Sequence, residues 1–277
     1  MQRRRAHVTP SAGQSELADS LAALRLALGL PDAFPEAVRI EAERAAVAPD
    51  PVPQRSDLRE LPFCTIDPAG SKDLDQALFI ARSGAGFTLR YAIADVASYV
   101  TPGGAVDAES RRRGQTLYAP DARIPLYPPV LSEGAASLLA DADRRAIVWT
   151  FALDAAAMVT DVSLERAVIR SVRQWSYPEA QAAIDAGTAP DSVAMLAEIG
   201  PARIALESER DGASLDLPEE EVIRTEQGYG IERRVLLPVE AWNAQVSLLT
   251  GMAAATIMLD GGIGILRTMP PADPDSI

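Results

Sequence analysis

Thr65-Ile66-Asp67-Pro68-Ala69-Gly70-Ser71-Lys72-Asp73-Leu74-Asp75-Gln76-Ala77-Leu78-Phe79 reads as a strand, a tight loop and a second strand. Pro68, Gly70 and Ser71 are loop formers, and an apolar run resumes at Ala77. Asp67 closes the first strand, while Asp73 and Asp75 open the second. Alternate residues of an extended segment share a face, so Asp73 and Asp75 project together. The loop from Pro68 to Lys72 is short enough to return the chain beside Asp67. Three carboxylates so close repel one another unless a cation sits between them or a proton is taken up. Oxygen ligands without His or Cys suit Mg²⁺ or Mn²⁺ rather than zinc. The same aspartates also read as solvated or turn-forming residues, and their spacing alone does not choose between the two.

Composition narrows the classes. The chain has 277 residues, 48% of them hydrophobic, enough for one or two domains with a proper core. Its one cysteine, Cys64, leaves no disulfide framework within the chain and fits a reducing cytoplasm. The one histidine, His7, lies in a polar N-terminal stretch, which argues against a His-based triad and His-ligated metal. A net charge of −13 argues against a sequence-independent DNA coat but leaves room for a nuclease with a local basic groove. No apolar run is long enough for a membrane span, and the basic start Met1-Gln2-Arg3-Arg4-Arg5 is followed by polar residues rather than a signal-peptide core. The cytoplasm is the expected location, with no obligate protein partner evident.

Four segments are expected along the chain: a disordered tail over 1–14, a helical hairpin over 15–47, a Pro-rich linker over 48–60 and a mixed α+β domain over 61–277. In the hairpin, Leu17, Leu21, Leu24 and Leu28 share a helical face that Gly29 and Pro31 stop. In the main domain, Phe87, Leu89, Tyr91 and Ile93 alternate as in a half-buried strand. Strands are expected at 145–153 and 162–172, and Pro178 is placed to start a helix through Asp185. The pattern over 191–210 is helical with a break at Gly200-Pro201. Residues 220–236 read as a hairpin turning at Gln227-Gly228, 238–259 as a long helix, and 263–267 as a final strand. Trp149, Trp175 and Trp242 fit a core better than a ligand contact.

The opening stretch closely resembles the signature of the RNB ribonuclease family: Asp67, five residues, Asp73, one residue, Asp75, then Gln76-Ala77. The resemblance extends, in order, through Tyr91-Ala92-Ile93-Ala94-Asp95-Val96 and Arg113-Gly114-Gln115-Thr116-Leu117-Tyr118. It continues through Ile124-Pro125-Leu126-Tyr127-Pro128-Pro129, Leu131-Ser132-Glu133 and Ser137-Leu138, so that roughly residues 58–270 are covered. It implies an RNB-type α+β catalytic domain, here the N-terminal part of one. The implied activity is Mg²⁺-dependent hydrolysis of single-stranded RNA from its 3′ end to nucleoside 5′-monophosphates, with Mn²⁺ able to substitute.

On that resemblance Asp67, Asp73, Asp75 and Gln76 form the metal site, and Asp75, with Asp73 beside it, is the residue on which catalysis depends most. Gln76 stands where the family has a fourth aspartate. Its amide oxygen can coordinate but brings no charge, which opens a rival reading as a catalytically weak or inactive RNA-binding relative. A plain structural domain whose loop binds Ca²⁺ is a third reading, disfavoured by the absence of the acid ladder and terminal Glu of an EF-hand. Tyr118 and Tyr177 correspond to aromatics that hold bases near the 3′ end, although half-buried tyrosines with bonded hydroxyls read equally. Gln245, on the long helix, corresponds more loosely to an acidic residue beside the aromatic clamp. Arg111, Arg112 and Arg113 form a basic run suited to phosphates, or a solvated helix end.

Overall fold

In a computed structural model the chain is described over residues 5–7, 13–31, 33–52, 54–119, 121–210, 219–225 and 228–266. In order the elements are β1 (Arg5–His7), α1 (Gly13–Ala27), α2 (Glu36–Val47), β2 (Ser56–Asp57), β3 (Phe63–Asp67) and β4 (Gln76–Ser83). Then come β5 (Gly86–Ala94), α3 (Ala105–Arg113), β6 (Leu117–Tyr118), β7 (Arg123–Ile124), β8 (Asp143–Leu153) and β9 (Val159–Ser176). The last are α4 (Tyr177–Asp185), α5 (Asp191–Ala194), α6 (Leu196–Glu209), β10 (Glu219–Thr225), β11 (Gly228–Arg234) and α7 (Pro238–Gly261). The architecture is α+β.

The long strand β9 closes the fold. Its first two thirds pair antiparallel with β8, and its end, from Ser171 to Ser176, pairs parallel with β3. Since β3 pairs with β4, β4 with β5 and β5 with β8, the pairings form a closed circuit of strands. Alternation sorts the side chains onto two faces. Ile66, Leu78, Ile80, Leu89, Tyr91, Phe151 and Trp175 face outward and are covered by α4–α7 through Val193, Leu196, Ile199, Val239, Val246 and Leu249. Inside are Phe63, Ala77, Ala92, Ala146, Val148, Ala167 and Ile169, with Leu74 and Leu138. So many alanines follow from the small circumference, whose interior is packed with side chains rather than hollow. The interior therefore leaves no room for a ligand. One end of the circuit collects Asp67 at the close of β3, Gln76 at the start of β4, Asp95 just past β5 and Tyr177 just past β9.

Several expectations change. The tail is not wholly irregular, because Arg5–His7 pairs with β11 from Glu232 to Gly230. The two N-terminal helices do not make a separate hairpin. Val38 and Ala42 of α2 pack with Tyr99, Val106, Leu131 and Ala136 of the main body. Leu17 and Leu24 on α1 and Leu28 just past it stay exposed, and Arg25 reaches Asp121 at 2.6 Å. Residues 48–60 are no linker: Ser56–Asp57 pairs parallel with β9, and buried Arg55 holds both Asp50 and Asp95. Beyond α7, Gly262 takes the left-handed cap conformation, and Ile263–Leu266 forms no strand among the described residues. Of the expected hairpin turn, Gln227 lies outside the described residues.

The expected break at Gly200-Pro201 falls instead at Met195, between α5 and α6, and α6 runs through Pro201. The glycine there has a packing role. A Cβ on Gly200 would lie 2.3 Å from Cγ of Trp242 on α7. Gly200→Ala is therefore expected to destabilise the fold by about 1–3 kcal/mol, as overpacking does. The melting temperature should fall by roughly 2–4 °C per kcal/mol. An unchanged melting temperature would mean that α6 and α7 separate freely.

Candidate active-site cleft

The acid loop is held in place from three directions. Gly70, at φ +85°, allows the turn in which Ser71 N–H donates to Pro68 O. Gln174 on β9 donates to Ser71 O at 2.8 Å. Ser137 Oγ accepts from Leu74 N–H at 2.9 Å and donates to Lys72 O at 2.6 Å, while Leu138 N–H donates to Leu74 O. A backbone without regular secondary structure thus has its polar groups paired and its aspartates aimed.

The result is a cleft of about 680 Å³ lined by Asp67, Asp73, Asp75 and Gln76 with the intervening loop, and across from them by Tyr118, Arg123 and Glu133. Four acids face two bases, Lys72 and Arg123, so the lining carries two uncompensated negative charges. Burial pushes the Asp67 carboxyl up to about 6, with the Asp75 and Asp73 charges adding to it. Its Oδ2 is buried with no hydrogen-bond partner. Asp75 is reached by water yet flanked by protein. Its pKa is raised first by desolvation and then by Asp73, with Arg123 opposing. Asp73 is paired with Arg123, Nη1 to Oδ2 at 2.6 Å, and Arg123 is also paired with Glu133.

An orphaned carboxylate oxygen and unbalanced acids are what a cation would relieve, so the donor set fits Mg²⁺ or Mn²⁺ in charge and ligand type. In spacing it is not preformed: among the described residues no three acids stand close enough to hold an ion as placed. Asp67 and Asp75 are the free candidates, and Asp73 joins them only by leaving Arg123.

The other expected site residues divide. Tyr118 is 75% exposed and on the cleft wall. Tyr177, at the start of α4, is near enough to Asp67 to feel its charge. It is half-buried, its hydroxyl is hydrogen-bonded with Asn243, and it does not line the cleft. Five of the expected residues are already engaged by protein groups. The Gln76 amide oxygen already accepts from the Tyr91 hydroxyl at 2.5 Å and from Ser247 at 3.3 Å, which uses both its lone pairs. Gln245 is buried on α7 and donates to Glu207 of α6 at 2.6 Å, away from the cleft. Arg113 is 3% exposed, paired with Glu109 and stacked over Phe34, so it is structural. Arg111 and Arg112 are neutralised by Asp107 and Glu109 on their own helix and do not line the cleft. The spacing of Asp107 and Glu109 to the three arginines, three and four residues along a helix, was the signal for this.

Sequence reasoning gave no role to Arg123 or Glu133, which lie 48 and 58 residues beyond Asp75 (123 − 75 and 133 − 75), although Glu133 stands in the quoted Leu131-Ser132-Glu133 motif.

The Asp67 shift has a measurable consequence in metal-free protein. Its folded-state value, about 6, lies above the ordinary 3.8, so the folded state holds this proton more tightly than the unfolded chain does. The stability it contributes is present at low pH and is lost as pH rises from about 4 through about 6. In EDTA, the melting temperature of the wild type relative to Asp67→Asn should fall across that window. A constant difference between the two would place Asp67 at its ordinary value.

A closed strand circuit with helices on its outer face and an acid-lined, aromatic-edged cleft at one end defines an α+β protein whose site lies in loops beyond the strand ends. The chain belongs to the RNB domain family, whose profile matches residues 55–274. It is 40% identical over 166 residues to Ribonuclease R of Acidithiobacillus ferrooxidans, covering 58% of this chain and 37% of that protein. It is 36% identical over 140 residues to the Homo sapiens Exosome complex exonuclease RRP44, covering 50% of this chain and 15% of that one. In fold it resembles Mycoplasma genitalium RNase R in complex with ribose methylated single-stranded RNA. There the TM-score is 0.84 at 23% identity, over 91% of this chain and 41% of that one. The chain spans less than half the length of each of these relatives.

Proposed function

We propose that this RNB family member is a metal-dependent 3′→5′ exoribonuclease that hydrolyses single-stranded RNA to nucleoside 5′-monophosphates in the cytoplasm. The observation that carries the reading is a cleft with two surplus negative charges in which Asp67, Asp73 and Asp75 line one side and the exposed Tyr118 the other. A cleft with surplus negative charge repels a polyanion unless cations enter with it. A bound divalent ion would stabilise charge on the phosphate oxygens and supply a nucleophilic water.

The chain's own residues supply the rest. Asp67 and Asp75 provide the anionic oxygens at the floor of the cleft, and burial raises the pKa of both. Tyr118 offers a ring face on which any base can stack. Ser137 and Gln174 fix the backbone of the loop, so that what must move is the side chain of Asp73, away from Arg123. The buried Cys64 thiol, pushed up to about 12 by desolvation, has no part in the chemistry.

A second reading, RNA binding without hydrolysis, is favoured by one feature: Gln76 stands where the family has an acid, and its oxygen is engaged by Tyr91 and Ser247. One experiment separates the two. The full chain is incubated with 5′-labelled single-stranded RNA and Mg²⁺, with an EDTA control. A ladder shortening stepwise from the unlabelled end, with mononucleotides released and EDTA blocking both, supports the exoribonuclease. Bound but intact RNA supports the second reading, and RNA neither bound nor cut would defeat both.

A further inference from the structure

Arg123 lies in the cleft between two acids from different segments. Its Nη1 is 2.6 Å from Asp73 Oδ2, and its Nη2 is paired with Glu133 of the helical turn Leu131–Ala135. Its cross-strand partner in the β6–β7 hairpin is Tyr118, so a guanidinium and an exposed ring stand side by side on one wall. A guanidinium is a fork: one amine can keep its acceptor while the other changes partner. Both pairs are partly exposed, with Asp73 at 25% and Glu133 at 24%, so Arg123 can leave Asp73 at modest cost while it keeps Glu133. Asp73 is also the acid that must lose Arg123 before it can serve an ion.

We propose that Arg123 is a phosphate-binding residue held in reserve: it caps Asp73 until a divalent cation takes that carboxylate, and then grips the phosphate of the nucleotide whose base lies on Tyr118. The inference rests on the RNA-cleaving reading of this cleft. It makes metal and RNA binding mutually reinforcing, because each removes one of the two partners that hold Arg123 and Asp73 together, and such coupling is reciprocal.

The test is a double-mutant cycle on Mn²⁺ binding, followed by electron paramagnetic resonance on the full chain without RNA. Arg123→Ala is expected to bind Mn²⁺ about fivefold tighter, the size of one partly exposed ion pair. In the Asp73→Asn background that gain should vanish, since the cycle isolates a direct pair from a general field effect. RNA binding is then read by fluorescence anisotropy with a phosphorothioate-linked single-stranded RNA that resists hydrolysis, so that Asp75 stays in place. Arg123→Ala should weaken binding of this RNA with Mn²⁺ present and lower the salt slope by about 0.7, the loss of one phosphate contact. In EDTA it should change nothing. Arg123→Gln repeats both arms if alanine disturbs the hairpin by circular dichroism. A Mn²⁺ gain that persists in Asp73→Asn, an RNA effect that is equal with and without metal, or no Mn²⁺ binding at all would overturn the proposal. Failure of the exoribonuclease reading shows instead in the labelled-RNA assay, while the Mn²⁺ cycle stands independently of it.

Discussion

Asp75→Asn is expected to lower the rate of RNA hydrolysis by at least about 10³-fold while leaving RNA affinity within about twofold. The substitution preserves shape. The Asp75 carbonyl, which accepts from Ala94 N–H at 2.9 Å, is untouched, and the neighbouring Leu74 amide keeps its bond to Ser137. What disappears is a carboxylate that the cleft has desolvated and set beside Asp73. An amide can neither hold the proton nor offset the charge of an ion, so both routes by which Asp75 could lower the barrier close together. Binding should survive, because removing a negative charge from a cleft that admits a polyanion does not weaken attraction. Single-turnover cleavage of labelled RNA, with anisotropy in parallel, checks both halves. Unchanged turnover would remove Asp75 from the mechanism, and a matching loss of binding would show that the variant had disturbed the loop.

How much of this was legible beforehand depends on the range of the determinants. The acid loop was readable in part because its logic is local: Asp67 closes β3, and the loop formers Pro68, Gly70 and Ser71 turn the chain back to β4. Asp73 and Asp75, however, lie in the loop before β4 rather than alternating on it. The central strands and α7 were readable for the same reason, since alternation and the 3.6-residue period are set by burial on one face. The closed circuit was not readable. It depends on β9 changing partner from β8 to β3 near Ser171, an event that one continuous strand pattern does not announce. Arg123 and Glu133 escaped for a related reason. They reach the cleft because Ser137 and Leu138 are bonded to Lys72 and Leu74, a long-range clasp between side chain and backbone. The basic run Arg111–Arg113 left two readings open, a phosphate patch or a solvated helix end, and Asp107 and Glu109 one turn away answer its charges.

Tyr118→Ala is expected to weaken binding of single-stranded RNA by about 1–3 kcal/mol, or roughly 5- to 150-fold, with little change in stability. A tyrosine that leaves most of its ring in water forgoes the burial that ordinarily retains an aromatic, so its loss removes almost no packing. The position also explains direction. Tyr118 opposes Arg123 across the β6–β7 pair, and Arg123 is tied to Asp73, so a base on the ring brings its phosphate toward the acid loop. Stacking needs the ring and not the hydroxyl, so Tyr118→Phe should bind as the wild type does. The loss in Tyr118→Ala should fall mainly on KM, because the ring lies on the wall and acts by holding RNA. Equal RNA affinity for Tyr118→Ala and wild type would make the tyrosine an ordinary surface residue. A fall in kcat at constant KM would place the ring against the scissile nucleotide itself.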